Sequence, residues 1–361
     1  KIEYTKIKPM NEPDIILTQD LVKLVAEVDE FKGRWEALKN LSPDRLSALR
    51  KVATVESVGS STRIEGAKLS DIQVETLLSN IEMRKFDTRD EQEVAGYAEA
   101  MDLIFQAYAD MPLTENHIRQ LHKVLLRHST KDKRHRGEYK KLDNHVVAID
   151  ADGVEIGVIF ETATPFETPR QMEELVQWAR KAIDEQSMHP LLIVAVFIVQ
   201  FLAIHPFQDG NGRLSRVLTT LMLLRAGYAY VPYASLESVI EENKDIYYKS
   251  LRRTQTTLKG NDPDWSPWVG FFLRCLKKQK DNLVIRLDRE KGQIDDIDLP
   301  EISVQILGLF DTHDRLNLSK ITELTGGNKN TIKVRLRELV SAGQITKHGK
   351  ARATWYIKAS N

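Results

Sequence analysis

His205-Pro206-Phe207-Gln208-Asp209-Gly210-Asn211-Gly212-Arg213, with Arg216 three residues further on, is the stretch on which the reading of this chain turns. It follows Leu191 to Ile204, an apolar run interrupted by Gln200. Such a run is shorter than the ~20 residues that cross a bilayer, so it reads as the central helix of a helical core. His205 and its successors therefore stand where a rigid element stops. Gly210 and Gly212 let the backbone take positive φ and approach a ligand closely, and Asn211 between them tolerates the same geometry. The chain turns helical again from Asn211 to Arg225, with Gly227 as its stop.

A glycine-rich turn running into a helix presents unpaired N–H groups at the positive end of a dipole, which suits phosphate. Arg213 and Arg216, at i and i+3, share a face beside that anion site, and their guanidinium forks match phosphate oxygens. Asp209 would be repelled by phosphate unless a cation lay between them, so it predicts a bridging Mg²⁺. His205 is the side chain here able to accept a proton near neutral pH. Base, metal ligand, phosphate nest and two arginines describe a nucleotide-dependent transfer site. They do not describe a Walker loop, because the Lys-Ser/Thr pair is missing.

His205 to Arg216 resembles the His-Pro-Phe-x-Asp/Glu-Gly-Asn-Gly-Arg-x-x-Arg motif of the Fic family at every specified position. The resemblance implies an all-helical core over residues 87–260, ATP with Mg²⁺, and AMP transfer to Ser, Thr or Tyr hydroxyls of a protein. On it, His205 deprotonates the attacking hydroxyl and Asp209 holds Mg²⁺. Gly210, Asn211, Gly212 and Arg213 cradle the phosphates, Arg216 holds the γ-phosphate and Phe207 anchors the loop. Relatives that phosphorylate depart from the motif at the glycine corresponding to Gly210, which this chain keeps.

Three further features fall in with the resemblance. His145 to Phe160, with Asp152-Gly153 as a turn, reads as a β-hairpin. It resembles the family's flap, where Val158, Ile159 and Phe160 would dock a target segment by strand addition. Tyr247-Tyr248 resembles a tyrosine pair that packs on adenine, although Gln255 replaces the Asn found seven residues on in such relatives. Ser61-Thr62-Arg63-Ile64-Glu65-Gly66 matches the Ser/Thr-x-x-x-Glu-Gly/Asn pattern of Fic proteins with an N-terminal inhibitory helix, here about 45–66. Ser61 and Glu65 lie one turn apart on one face, and a Glu65 carboxylate reaching Arg216 would take the place of the γ-phosphate. The reverse reaction, AMP removal, needs a carboxylate to position water, which Glu65 could supply.

Elsewhere helical patterns dominate. Ser42-Pro43-Asp44 reads as a cap opening the helix to Ile64, and Thr168-Pro169-Arg170-Gln171 as a capping box. Further helices fit Glu91 to Ala109, Glu115 to Arg127, Glu237 to Leu258 and Trp265 to Leu287. Asp288 to Pro300 is charged and aperiodic, as a linker would be. Then come three short helical patterns, Ile302 to Thr312, Leu318 to Leu324 and Thr331 to Ala342. Strands at Ile345 to Lys347 and Ala353 to Ile357 follow, the order of a winged helix-turn-helix. Lys329, Lys333, Arg335, Arg337, Lys347, Lys350 and Arg352 could form a basic surface there for DNA phosphates, or the domain could serve as a protein-docking or dimer module.

The 361 residues are 42% apolar and 29% charged, as in a soluble globular protein. Fifty-two basic residues balance 52 acidic ones, so no global attraction to nucleic acid or membrane follows. The single cysteine, Cys275, excludes an intrachain disulfide and fits a reducing compartment. Lys1 to Met10 lacks a secretory apolar stretch, which points to the cytoplasm. The fold expected is mainly α: an N-terminal helical region (1–86), the core (87–260), a helix and linker (261–300) and a winged-helix domain (301–361). Expected partners are a protein hydroxyl (this chain's own included), a second copy as homodimer, and DNA, with no membrane. The competing function is a DNA-binding regulator carrying a vestigial Fic core.

Overall fold

The computed structural model describes residues 13–37, 43–80, 86–149, 155–260, 262–295, 300–310, 313, 315–341, 344–349 and 354–359. The chain divides between Leu283 and Val284 into two compact units. The first holds α1 (Gln19–Ala37), α2 (Pro43–Ile64), α3 (Asp71–Leu78), α4 (Arg89–Ala107) and α5 (Glu115–Leu125). The hairpin β1 (Val146–Ile149) and β2 (Glu155–Phe160) follows, then α6 (Thr168–Asp184), α7 (Pro190–Ile204) and α8 (Asn211–Arg225). It closes with α9 (Leu236–Glu242), α10 (Lys244–Gln255) and α11 (Ser266–Asp295), which runs past the boundary.

α7 explains why the core is helical. It is apolar all round, so other helices must cover it on every side, and α6, α8 and α10 do so. Trp268 on α11 packs there too, its indole N–H donating to the Ala195 carbonyl at 2.8 Å. α4 lies on α8 and α5, and α2 lies between α4 and α9. The result brings the end of α2 and the start of α8 together. Among the described residues no helix is long and apolar enough to cross a membrane.

Several local readings need correction. Thr168 is the first residue of α6 rather than its cap; the N-cap is Glu167 and makes no side-chain cap bond. Thr164 and Glu167 instead close on each other one turn earlier, Thr164 Oγ1 donating to Glu167 at 2.8 Å. The helix expected over Glu237 to Leu258 breaks at Asn243, whose amide donates to the Val239 carbonyl at 2.8 Å and so competes with the helical ladder. α11 continues to Asp295, through part of the stretch read as a linker, since mixed charges suit a solvated helix equally well. α1 and α3 were missed, although Leu21, Val28 and Phe31 are buried at helical spacing in α1. The cap at Ser42, the turn Asp152-Gly153 and residues Lys350 and Arg352 lie outside the described residues, as do the side chains of Val158 and Ile159.

The second unit contains α12 (Glu301–Leu309), β3 (Leu316–Asn317), α13 (Leu318–Thr325), α14 (Lys329–Ser341), β4 (Ile345–His348) and β5 (Trp355–Lys358). Its sheet has the order β3-β5-β4, antiparallel throughout. Ile306, Phe310, Leu316, Ile321, Ile332, Leu336, Leu339 and Ile345 form its core. β3, two residues long, was too short to leave a period in the sequence.

Candidate active site

The loop between α7 and α8 is built by its own side chains. His205 caps α7 in the left-handed region (φ 53°, ψ 59°), and Gly210 caps α8 at φ 80°. A left-handed histidine is uncommon and must be held by its surroundings. Asn211 ties the turn shut: its Oδ1 accepts the Phe207 N–H at 2.9 Å and its Nδ2 donates to the Phe207 carbonyl at 2.7 Å. Phe207 is fully buried, with Tyr139 and Phe201 beside it. His122 stacks on its ring with centroids 3.8 Å apart.

His122 was not found by sequence reasoning. Its Nδ1 accepts the Gly137 N–H at 2.9 Å, so the proton sits on Nε2, which donates to the Asp209 carbonyl at 3.0 Å. Burial draws its pKa down to about 4, so it stays neutral. A histidine three residues before the end of α5 carries no local signal of this role. Its partner is 87 residues away.

His205 lies with Nδ1 3.3 Å from the Leu202 carbonyl, which places the proton on Nδ1 and leaves Nε2 as a lone-pair acceptor. Burial draws its pKa to about 4, with the Lys140 charge pushing the same way and Glu65 and Asp209 opposing. The imidazole is therefore neutral in the unliganded protein at pH 7.

The two arginines are almost wholly buried, Arg213 at 2% and Arg216 at 4% exposure. Arg213 Nη2 donates to Asp209 Oδ1 at 3.2 Å, and Nη1 lies 3.4 Å from Glu93. Yet Nε and Nη1 of Arg213, and Nη1 of Arg216, have no hydrogen-bond partner. Buried donors are normally satisfied, and both guanidinium groups belong to the first two turns of α8, so their unfilled donors suit an anion beside that helix start.

Glu65 already supplies one negative charge there. Its Oε1 accepts from Arg216 Nη2 at 2.8 Å, while Ser61 accepts from the same guanidinium through Oγ at 2.8 Å and its carbonyl at 2.9 Å. The carboxylate rests against Gly212, where an added Cβ would sit 2.1 Å from Oε1. Burial pushes the Glu65 pKa up, but the Arg216 charge and hydrogen bond, helped by Arg213 and His205, outweigh it and hold the carboxyl below its usual range. Gly66 turns the chain away at φ 102°. Arg63 pins the same helix end, its Nε and Nη2 meeting both oxygens of Glu241 at 2.7 and 3.0 Å. That ion pair was also invisible in the sequence.

Asp209 faces the mouth of the loop. Oδ1 accepts the Gly210 N–H at 2.6 Å, and Oδ2 is 3.5 Å from a largely exposed Lys131 ammonium. Burial raises its pKa, but Arg213, that N–H and Lys131 together bring it below the usual carboxylate value. Among the described residues no three His, Cys, Asp or Glu side chains form a cage for a metal ion. A single ionised carboxylate oxygen with only a solvated lysine beside it suits Mg²⁺, which takes one or two carboxylates and completes its shell with phosphates and water.

Tyr247 is buried against Trp268 and Phe271, and Tyr248, partly exposed, meets it edge-on at 4.9 Å. Gln255 is buried. In the hairpin, Val146 pairs with Phe160 and Val147 with Val158. A 690 Å³ cavity lined by Leu113, Ile183, Met188, Ile193 and Met222 lies at the opposite ends of α7 and α8 and holds none of these groups.

Residues 112–223, which contain the loop, match the profile of the Fic/DOC family. The chain carries a Fic/DOC-family domain. Its sequence is 26% identical over 289 residues to a protein adenylyltransferase Fic of Drosophila ananassae, covering 76% of this chain and 52% of that protein. It is 25% identical over 272 residues to the protein of the same name in Drosophila virilis, covering 74% and 50%. The chain thus spans about half the length of the curated relatives it matches. Among solved structures, a Fic family protein from Desulfovibrio desulfuricans G20 shares the fold over 97% of this chain and 99% of that one, with TM-score 0.69 and 22% identity. A Fic-domain signaling protein from Bacteroides thetaiotaomicron aligns over 76% of this chain and 97% of that one, with TM-score 0.58 and 26% identity.

Proposed function

We propose that this Fic-domain protein transfers AMP from ATP to a hydroxyl of a protein, and that Glu65 restrains it. The observation carrying the proposal is the pair of buried arginines beside the Gly210–Gly212 start of α8, each of which keeps N–H donors without a hydrogen-bond partner. In this reading the α8 N-terminus and Arg213 hold the phosphate chain, and Arg216 receives the γ-phosphate where Glu65 now sits. Mg²⁺ held by Asp209 would neutralise phosphate charge and orient the chain. The substrate hydroxyl gives its proton to Nε2 of His205 and its oxygen bonds to the α-phosphorus. The bond from that phosphorus to the α,β-bridging oxygen breaks, and pyrophosphate leaves. Arrival of the triphosphate's negative charge would raise the imidazole pKa, which strengthens the base when it is needed. The names of the Drosophila relatives support AMP transfer.

With Glu65 on Arg216, the γ-phosphate has no seat, and ATP would bind with its α-phosphorus displaced from in-line attack. A displacement of about 1 Å can cost ~100-fold in rate. Replacing Glu65 by Gly and incubating with ATP and Mg²⁺ should add the mass of AMP to the protein or to a target. His205→Ala in that background should abolish the gain while ATP still binds. Labelling by the His205→Ala protein at the rate of its parent would refute the base assignment.

We further propose that the second unit is a winged helix that meets DNA phosphates. Lys329, Lys333 and Arg337 of α14 and Lys347 of β4 are exposed, opposite the buried Ile332, Leu336 and Leu339, which supports the reading. Arg335 is paired with Glu338 at 2.7 Å and adds little. A mobility shift of the full chain that weakens steeply with salt is expected, and none at low salt would end the idea.

A further inference from the structure

Each carbonyl from Ile204 to Phe207 is taken by one short segment, Lys140–Asn144, that leads into β1. Lys140 Nζ donates to the Ile204 carbonyl at 3.0 Å, and the Lys140 N–H to that of Pro206 at 2.8 Å. Asn144 Nδ2 donates to the His205 carbonyl at 3.1 Å and to that of Phe207 at 2.6 Å. The ammonium also donates to Asn144 Oδ1 at 2.7 Å and to Thr162 Oγ1 at 3.0 Å, just beyond β2. The residues flanking both ends of the hairpin and the turn bearing His205 therefore meet on one nitrogen.

Lys140 is unusual for a lysine. It is 3% exposed, and its hydrogen-bond acceptors are two carbonyls and a hydroxyl, with no carboxylate among them. Lysine is almost never fully buried unless paired with an anion, because desolvation of an ammonium is costly. Burial draws its pKa to about 8, with the Asp143 charge opposing. What offsets the cost is the end of α7, where Ile204 contributes an otherwise unpaired helix carbonyl at the negative end of the dipole. The same bonds fix the left-handed backbone of His205, a conformation that does not hold itself.

We propose that Lys140 is a positioning residue for the base: with Asn144 and Thr162 it clamps the His205 turn and ties that turn to both ends of the hairpin. The proposal rests on the AMP-transfer reading for its effect on rate, while the clamp itself can be tested without it. A strand added to the hairpin would pull on Thr162 and Asn144, so target docking and the place of the imidazole are mechanically linked.

The test uses the full chain in the Glu65→Gly background. Lys140→Met, of similar length but without donors, should lower kcat for AMP transfer about 10–100-fold, with ATP affinity within about twofold of the parent, because Lys140 bonds the carbonyls of Ile204 and Pro206 and none of Gly210 to Arg213. Lys140→Arg, which keeps charge and donors, should recover most of the loss. Should Lys140→Met fail to fold, Thr162→Val keeps the shape, removes one acceptor, and should lower kcat about threefold in the same pattern. Hydrogen–deuterium exchange of residues 201–209 in the unliganded protein should speed up in either variant. Unchanged kcat and unchanged exchange would overturn the proposal, as would equal losses in kcat and ATP affinity, which mark general damage. If Glu65→Gly itself transfers nothing, the proposed function fails, and the exchange measurement alone judges the clamp.

Discussion

Glu65→Gly removes the carboxylate that meets Arg216 Nη2 at 2.8 Å and lies over Gly212. A hydrogen bond to a charged group contributes about 1.5–3 kcal/mol, and about 1.4 kcal/mol is a factor of ten in rate. Glu65 is 32% exposed, so solvent weakens the pair and the lower half of that range applies. If the pair must open before the γ-phosphate can seat, the variant should label roughly 10–50-fold faster than the parent. Glu65→Gln keeps the shape and one hydrogen bond without the charge, so it should fall between the two. The same change leaves the buried Arg216 guanidinium without its carboxylate partner, though still bonded to Ser61, so the unliganded variant should unfold at lower temperature and regain stability when ATP is added. Labelled ATP followed on a gel measures the rate, and calorimetry the stability. Equal labelling by parent and variant, with activity still dependent on His205, would refute the restraint. Acid should not release it near neutrality: Glu65 is held below its usual value of 4.5, so its stabilisation is present above that value and is lost only as pH falls through the lower folded one.

Two further outcomes follow from the packing of the loop. Phe207→Ala empties a fully buried site between His122, Tyr139 and Phe201, and should cost about 3–5 kcal/mol in urea unfolding. A loss under 1 kcal/mol would mean the loop is not anchored there. His122 and His205 have folded pKa values drawn down to about 4 from 6.5, so the unfolded chain takes up protons first as pH falls. Stability should therefore be full above about pH 6.5 and decline below it, by about 2 kcal/mol per histidine at pH 5. Urea midpoints that stay level from pH 7.5 to pH 5 would contradict the desolvation of both rings.

The features legible in the sequence were those whose parts lie close together in the chain. The loop proposed to hold phosphate is nine consecutive residues and Arg216, so its glycines, carboxylate and arginines could be read as one object. Ser61 and Glu65 share a face because they are one helical turn apart. α7 could be read from its apolar composition, and so could the need for helices around it. The hairpin alternation likewise announced β1 and β2. Boundaries were less legible, as Asn243 and the continuation of α11 show, because solvated charges and a single Asn do not distinguish a helix from a break.

The amino-acid order alone determined that a histidine, a carboxylate and two arginines would gather at one helix start, since a rigid helix must end at Ile204 and the chain must turn there. Only the tertiary structure decided what those groups face. Arg63 meets Glu241 across 178 residues, His122 reaches Asp209 across 87, and Lys140 reaches Ile204 across 64. None of these pairs leaves a period or a spacing in the chain. Each exists because the helices around α7 bring distant polar groups together in a buried interior, where a donor or charge is costly unless a partner meets it.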